Sequence, residues 1–118
     1  MDANEMKIVT LQVASLDDVK KHAAEAFHGH KQGARITFAT PELLFKLLTA
    51  KRWQLIRAMT GAGAITIREA ARCVGRDVKA VHGDVQALLA CGVLQKTDKG
   101  KIVFPFDAVH VDVTLRAA

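Results

Sequence analysis

The stretch Thr66–Val103, TIREAARCVGRDVKAVHGDVQALLACGVLQKTDKGKIV, decides the fold. Thr66 and Glu69 have the spacing of a capping box at a helix N-terminus. Apolar residues then recur at helical intervals up to Gly75, a residue type that ends helices in the left-handed conformation. Asp77 is a suitable N-cap for a second helix. The pattern therefore predicts two short helices joined by a tight turn.

An apolar stripe and a polar face divide the second predicted helix. The stripe, which we expect to be buried, consists of Val78, Val81, Val85, Leu88 and Leu89. Gly92 ends this helix, and Val93 and Leu94 are expected to begin a strand. After a turn at residues 98–100, residues 102–104 are expected to return as its hairpin partner. This order is that of a helix-turn-helix followed by a wing.

The polar face and the hairpin supply candidate contacts with double-stranded DNA. In a winged helix-turn-helix, the second helix enters the major groove and cationic side chains meet phosphates. The candidate DNA-binding residues are Thr66, Arg68, Arg76, Lys79, Ala80, His82, Gly83, Gln86, Lys96, Lys99 and Lys101. The small residues Ala80 and Gly83 would let the helix backbone approach the groove floor. The alternative is a merely solvated face, because every soluble helix has one.

Charge is unevenly spread over the 118 residues, whose net charge is +5. Residues 1–34 hold four Lys/Arg and five Asp/Glu, a net of −1. Residues 35–104 hold twelve Lys/Arg and five Asp/Glu, a net of +7. The positive charge thus coincides with the predicted DNA-binding part, which favours a polyanionic partner. The absence of tyrosine disfavours a base-stacking RNA platform.

The two ends of the chain predict strands. Residues 7–13 and 35–39 have the composition and alternation of strands, and a helix capped by Ser15 is expected at about residues 16–31. Residues 108–115 alternate in the same way. Unpaired strand edges invite pairing with another chain, so we expect a homodimer.

Between the strands, residues 40–59 predict two helices. Thr40 caps the first, with Pro41 at its first position, and Thr49 caps the second. The residues expected in the core are Leu43, Leu44, Leu47, Leu48, Trp53, Leu55, Ile56 and Met59. Lys51, Arg52 and Arg57 lie near the second helix, where phosphate contact and a solvated face are both open interpretations.

These elements together predict an α+β fold, a winged helix-turn-helix with an N-terminal β-α-β extension. The expected division is residues 1–39 for the extension, 40–107 for the DNA-binding unit and 108–118 for a C-terminal strand. The extension is the expected site of dimerisation or partner contact.

Several functional classes are disfavoured. No signal peptide or membrane span is visible, so we expect a cytoplasmic protein without a membrane partner. Cys73 and Cys91 are interpreted as buried thiols. The histidines at positions 22, 28 and 30 are not completed into a metal site. No nucleophile elbow, phosphate loop or dinucleotide fingerprint is present, so neither an enzyme nor a cofactor is expected.

The strings LTAKRWQLI (residues 48–56), IREAARCVGRDVKAVHGDV (residues 67–85) and IVFPFD (residues 102–107) carry a family resemblance. They are similar to small prokaryotic winged helix-turn-helix proteins known as predicted transcriptional regulators or DNA-binding proteins. Some members are antitoxins of toxin–antitoxin pairs. The resemblance covers roughly residues 38–107 and implies a winged helix that binds an operator, often its own. It also implies a basic residue at position 83, where Gly83 removes one expected DNA contact.

Two functions are left open by the sequence. The first is a dimeric, sequence-specific DNA-binding repressor, which in the antitoxin case also binds a cognate toxin. The alternative is a winged-helix protein-interaction module that binds a protein partner and does not bind DNA specifically.

Overall fold

The computed structural model describes residues 6–14 and 33–115, which form an α+β structure. Its elements in chain order are β1 (Ile8–Val13), β2 (Ala34–Phe38), α1 (Pro41–Leu47), α2 (Ala50–Met59), α3 (Ile67–Val74), α4 (Val78–Cys91), β3 (Gln95–Lys96), β4 (Ile102–Val103) and β5 (Ala108–Asp112). The helix predicted at residues 16–31, with the histidines at positions 22, 28 and 30, lies outside the described residues. None of the described helices combines the length and hydropathy that crossing a bilayer requires.

The strands from the two ends of the chain share one parallel sheet, in the order β2-β1-β5. Val9 of the central strand lies opposite Ala34 on one side and Val109 on the other. The strands predicted at both ends are thereby confirmed. The last one ends earlier than expected, at Asp112, and the Leu115 side chain is 98% exposed.

One face of this sheet is apolar and packs on the helices. Alternation along β1 places Val9 and Leu11 on that face, and both are fully buried. Residues of the same face that pack against this core are Val13, Ile36, Phe38, Val109, Val111 and Val113. On the opposite face the buried Gln12 amide donates to Thr37 Oγ1 at 3.2 Å and accepts from Arg35 Nη1 at 2.8 Å. These hydrogen bonds satisfy an amide that would otherwise be costly to bury.

The helical run between β2 and α3 is divided by its caps, as predicted. The Thr40 hydroxyl accepts from the Leu43 N–H, and the Thr49 hydroxyl accepts from the Arg52 N–H. Leu48 leaves the helical conformation at φ −92° and ψ 72°, which separates α1 from α2.

The core of these two helices is smaller than expected. Leu44, Leu55, Ile56 and Met59 are buried, but Leu43 and Trp53 are 49% and 42% exposed, so their prediction as core residues is wrong. In the seven-residue α1 only Leu44 is buried, because so short a helix presents few positions to one neighbour. Trp53 lies instead at the margin of the core, in a cleft between α2 and β5.

Two further predictions of burial fail. Val78, which was expected in the apolar stripe of the second helix, is 42% exposed because it occupies the first position of α4, beyond the core. Cys73, expected as a buried thiol, is exposed on α3. Cys91 is half-buried, its Sγ donates to the Leu88 carbonyl, and burial raises the pKa of its thiol.

Candidate functional site

Caps position α3 and the turn that follows it. The Thr66 hydroxyl accepts from the Glu69 N–H at 3.0 Å, and the Glu69 carboxylate accepts from the Thr66 N–H at 3.1 Å. The hydrogen bond from the Thr66 N–H lowers the pKa of the Glu69 carboxyl. Gly75 ends α3 in the left-handed conformation, at φ 67°. The Asp77 carboxylate then accepts from the Lys79 N–H at 3.1 Å, and α4 begins. The predicted helix, turn and helix are confirmed.

A short antiparallel hairpin follows α4. Gln95 lies opposite Val103 and Lys96 opposite Ile102. Ile65 also exchanges main-chain hydrogen bonds with Ile102, at 2.9 and 2.7 Å, so the hairpin is attached to the segment before α3.

Val93 and Leu94 do not begin a strand as predicted. Their N–H groups donate to the Leu88 carbonyl at 3.0 and 3.2 Å, which closes the C-terminus of α4. Both side chains are buried. The strand starts only at Gln95, because these two main-chain donors are already used.

The sequence-predicted side chains on α4 share an exposed face. Lys79, Ala80, His82, Gly83 and Gln86 are all exposed, and His82 Nε2 lies 3.5 Å from Gln86 Nε2. We call these five residues the α4 face.

The hairpin lies beside this face. A groove of about 650 Å³ is lined by Gln86, Leu89, Ala90, Gly92, Leu94, Gln95 and Lys96. The structure therefore brings Gln86 of the α4 face and Lys96 of β3 to one groove. Lys99, in the hairpin turn, is exposed as well.

The remaining predicted residues lie at α3 and the base of the hairpin. Arg68 is exposed in the first turn of α3. Thr66 is half-buried, with its hydroxyl engaged in the cap. Lys101 is half-buried, and its charge helps to lower the pKa of Glu69. Thr66 and Lys101 are therefore more enclosed than the residues of the α4 face.

Arg76 does not belong to the exposed face of the second helix, contrary to the sequence interpretation. It lies in the turn before the N-cap Asp77, and its Nη2 is 2.8 Å from Asp84 Oδ2. Its side chain is only 18% exposed. The guanidinium pairs with Asp84 because a largely buried cation needs a counter-charge.

Asp84 connects three parts of the molecule. It pairs with Arg76 of the turn, and its Oδ1 accepts from Arg52 Nε of α2 at 2.9 Å. Arg52 also donates to the Leu47 carbonyl at the end of α1, at 2.9 Å. Burial raises the pKa of the Asp84 carboxyl, but the two guanidiniums lower it more, so the pKa lies below its ordinary value.

Sequence reasoning did not find this ion-pair cluster. The available signal was the position of Asp84, three residues after Val81 and four before Leu88, which places it on the buried stripe of α4. A carboxylate on an apolar stripe needs a cationic or hydrogen-bonding partner. Arg52, for which phosphate contact was one interpretation, is that partner.

The acidic groups around the α4 face are engaged internally. Glu69 and Asp77 serve as helix caps, and Asp84 is paired with two arginines. Within residues 6–14 and 33–115, Lys79, Lys96 and Lys99 have no ion-pair partner. The ammonium groups of these lysines are therefore available to an anionic partner.

Metal binding finds no support in this part of the chain. Among the described residues, no group of three or more His, Cys, Asp or Glu side chains is arranged to hold a metal ion. The arrangement offers cationic, amide and imidazole groups, which suit recognition of an anion or of polar base edges.

Comparison with known proteins places the chain in a family. No curated protein and no solved structure matches it. A family model named HVO_A0114 matches residues 47–111, more than half of the chain. The match runs from the end of α1 into β5 and includes the whole α4 face. The chain belongs to the HVO_A0114 family.

Proposed function

We propose that the protein is a winged helix-turn-helix transcriptional regulator that binds a specific double-stranded DNA sequence as a homodimer and represses its own promoter. The observation that carries this proposal is the α4 face with the hairpin beside it. Lys79 of that face and Lys96 and Lys99 of the hairpin lack ion-pair partners in the described part of the chain. A polyanion such as the DNA backbone supplies the missing counter-charge.

The order and attachment of the elements support the winged-helix interpretation. α2, α3 and α4 are followed by the β3–β4 hairpin, which Ile65 ties to the start of α3. At fourteen residues, α4 is about 21 Å long, which suits a helix lying in a major groove.

Each residue type on the α4 face suits a particular contact. Lys79, in the first turn, is placed for a phosphate, and the Gln86 amide can pair with the N6 and N7 atoms of adenine. Ala80 and Gly83 carry little or no side chain, so the helix backbone can approach the groove floor. The lysines of the hairpin are placed for phosphates or the minor groove.

Arg76 has a different role in this proposal. Because its guanidinium is paired with Asp84, it fixes the turn before α4 to that helix and is not free to read a base. Its replacement would weaken DNA binding through the orientation of α4.

A gel-shift titration with the DNA upstream of the protein's own gene tests the proposal. We expect a specific complex at about 150 mM salt, absent with a scrambled fragment, and a logarithmic salt slope that reflects several neutralised phosphates. Equal and weak binding to both fragments would contradict sequence-specific regulation.

A second candidate function, the protein-interaction module with its antitoxin form, is favoured by exposed apolar side chains. Leu43 and Phe45 of the short helix α1 are 49% and 56% exposed, so each offers apolar surface that a protein partner could cover. Co-expression with the protein encoded by the adjacent gene tests it. A stoichiometric complex that Phe45→Ser disrupts, with no specific DNA shift, would favour this function over the first.

A further inference from the structure

Among the residues that the structure describes, none pairs with the outer edge of β5, and this edge is self-complementary. We infer that β5 pairs antiparallel with β5 of a second copy of this chain, centred on Val111. This inference rests on the homodimer within the proposed function and gives it an interface; it does not depend on DNA binding.

Main-chain groups of β5 are available on that edge. In the described part of the chain, β5 pairs only with β1. The Ala108 N–H donates to the Lys7 carbonyl, so the main-chain groups of residues 108, 110 and 112 face β1. Because the direction alternates along a strand, those of Val109 and Val111 point to the free edge.

Symmetry restricts how two copies of β5 can pair. A two-fold axis perpendicular to the sheet relates antiparallel copies, and directly opposite residues lie on the same face. The two-fold axis must therefore pass beside one residue of β5, and that residue lies opposite its own copy. Centring on His110 or on Asp112 would place identical polar groups opposite each other, and two carboxylates opposite each other repel.

Centring on Val111 pairs complementary groups. His110 of each copy then lies opposite Asp112 of the other, and an imidazole N–H can donate to the carboxylate. Both side chains are exposed, and neither has a hydrogen-bond or ion-pair partner among the described residues. Two such cross-strand pairs form in one dimer.

The same register satisfies the free main-chain groups. Val111 of the two copies forms a hydrogen-bonded pair, because its N–H and carbonyl point outward. His110 and Asp112 then form the non-hydrogen-bonded type of pair, whose Cα atoms are about 4.5 Å apart and whose side chains lie closest. The hydrogen bonds and the side-chain pairing therefore favour one register.

The second copy would also bury part of the apolar face beside β5. A cleft of about 370 Å³ between α2 and β5 is lined by Trp53, Ile56, Arg57, Thr60 and Val109. In the proposed register Val113 of the second copy lies opposite Val109, beside this cleft. The added strand would cover apolar surface near the 42% exposed Trp53 side chain.

Sedimentation of the full chain without DNA tests the interface. We expect a dimer at micromolar concentration. The variant His110→Asp places carboxylates opposite each other and raises the dissociation constant by about tenfold or more. The double variant His110→Asp/Asp112→His restores opposite pairs and the dimer. A monomeric wild type, a single variant as dimeric as the wild type, or a double variant as weak as the single one would overturn the inference.

Disulfide trapping tests the register. In a Cys73→Ser background, His110→Cys/Asp112→Cys is expected to form a covalent dimer, since the paired Cα atoms lie within disulfide range. The variant His110→Cys alone cross-links less, because its counterpart is not directly opposite. Equal cross-linking by both variants would reject the Val111 centre. A protein that dimerises and cross-links as expected but binds no specific DNA sequence would contradict only the proposed function.

Discussion

Asp84 of α4 and Arg52 of α2 form an ion pair, with 2.9 Å between Oδ1 and Nε. Arg76 joins the same carboxylate from the turn before α4. The side chains of the three residues are 14% to 22% exposed, so solvent screens them little. This ion-pair cluster therefore fixes α4, the helix that carries the candidate DNA-binding face, against α2.

The variant Asp84→Asn is expected to destabilise the protein. It removes the only counter-charge that the structure shows for two largely buried guanidiniums, which costs about 3 kcal/mol in the free energy of unfolding. Urea denaturation measures this change. Asp98→Asn, in the exposed hairpin turn, is the matched control and should change stability by less than about 0.5 kcal/mol. Equal stability of the two variants would show that the ion pairs are not stabilising.

The contribution of Asp84 should depend on pH. Its pKa lies below the ordinary value in the folded protein, so its contribution is fully present above the unfolded pKa. It is lost as the pH falls through the folded pKa, that is, below about pH 4. The stability difference between wild type and Asp84→Asn should therefore narrow from pH 6 to pH 3. A constant difference over this range would contradict the lowered pKa.

Lysines of the candidate DNA interface should set the salt dependence of binding. If the proposed interface is right, Lys79→Ala and Lys99→Ala would each remove one phosphate contact, so each should reduce the logarithmic salt slope by about 0.9. Lys7→Ala, an equal charge change at an exposed position before β1, is the control and should leave the slope close to that of wild type. If all three variants had the same logarithmic salt slope, neither Lys79 nor Lys99 would be part of the DNA interface.

Gly83→Ala should stabilise α4. Gly83 lies within the helix, and a Cβ added there would meet no atom within 4 Å. Alanine is favoured over glycine in a helix interior by about 1 kcal/mol. Thermal unfolding should show a higher Tm for the variant. A lower Tm would mean that the glycine serves a packing or conformational need in the folded chain.

Close approach of α4 to DNA can be separated from that stability effect. If the helix backbone contacts the groove floor at Gly83, a large side chain should weaken binding although the fold is intact. Gly83→Leu is expected to reduce specific DNA affinity more than Gly83→Ala does. Similar affinities for both variants would place Gly83 away from the groove floor.

Local chemistry allowed many elements to be predicted. Thr66, Gly75 and Asp77 each form a hydrogen bond with a partner two to four residues away, so the local sequence indicates caps and turns directly. Thr40 and Thr49 divide the preceding helices for the same reason.

Burial at the edges of the core was predicted less well. Trp53 and Val78 have apolar side chains at helical spacing, but spacing does not show how far a neighbouring element extends. Both positions are 42% exposed because they lie where the packed core ends. Arg76 was assigned to a solvent-facing surface although it is largely buried. Its burial depends on the partner Asp84, eight positions later on α4, and residue spacing does not reveal that partner.

The sequence by itself determined the described helices, their caps and the turn between α3 and α4, because these depend on contacts between residues a few positions apart. It also located β1, β2 and β5 by their alternation, but not the start of β3. Only the tertiary structure decided that Arg52 meets Asp84, 32 residues later, and that the Lys7 N–H donates to Asp107, 100 residues later. It also decided that strands from both ends of the chain share one sheet and leave β5 at its edge. Such contacts depend on how whole elements pack to bury apolar surface, which local patterns do not specify.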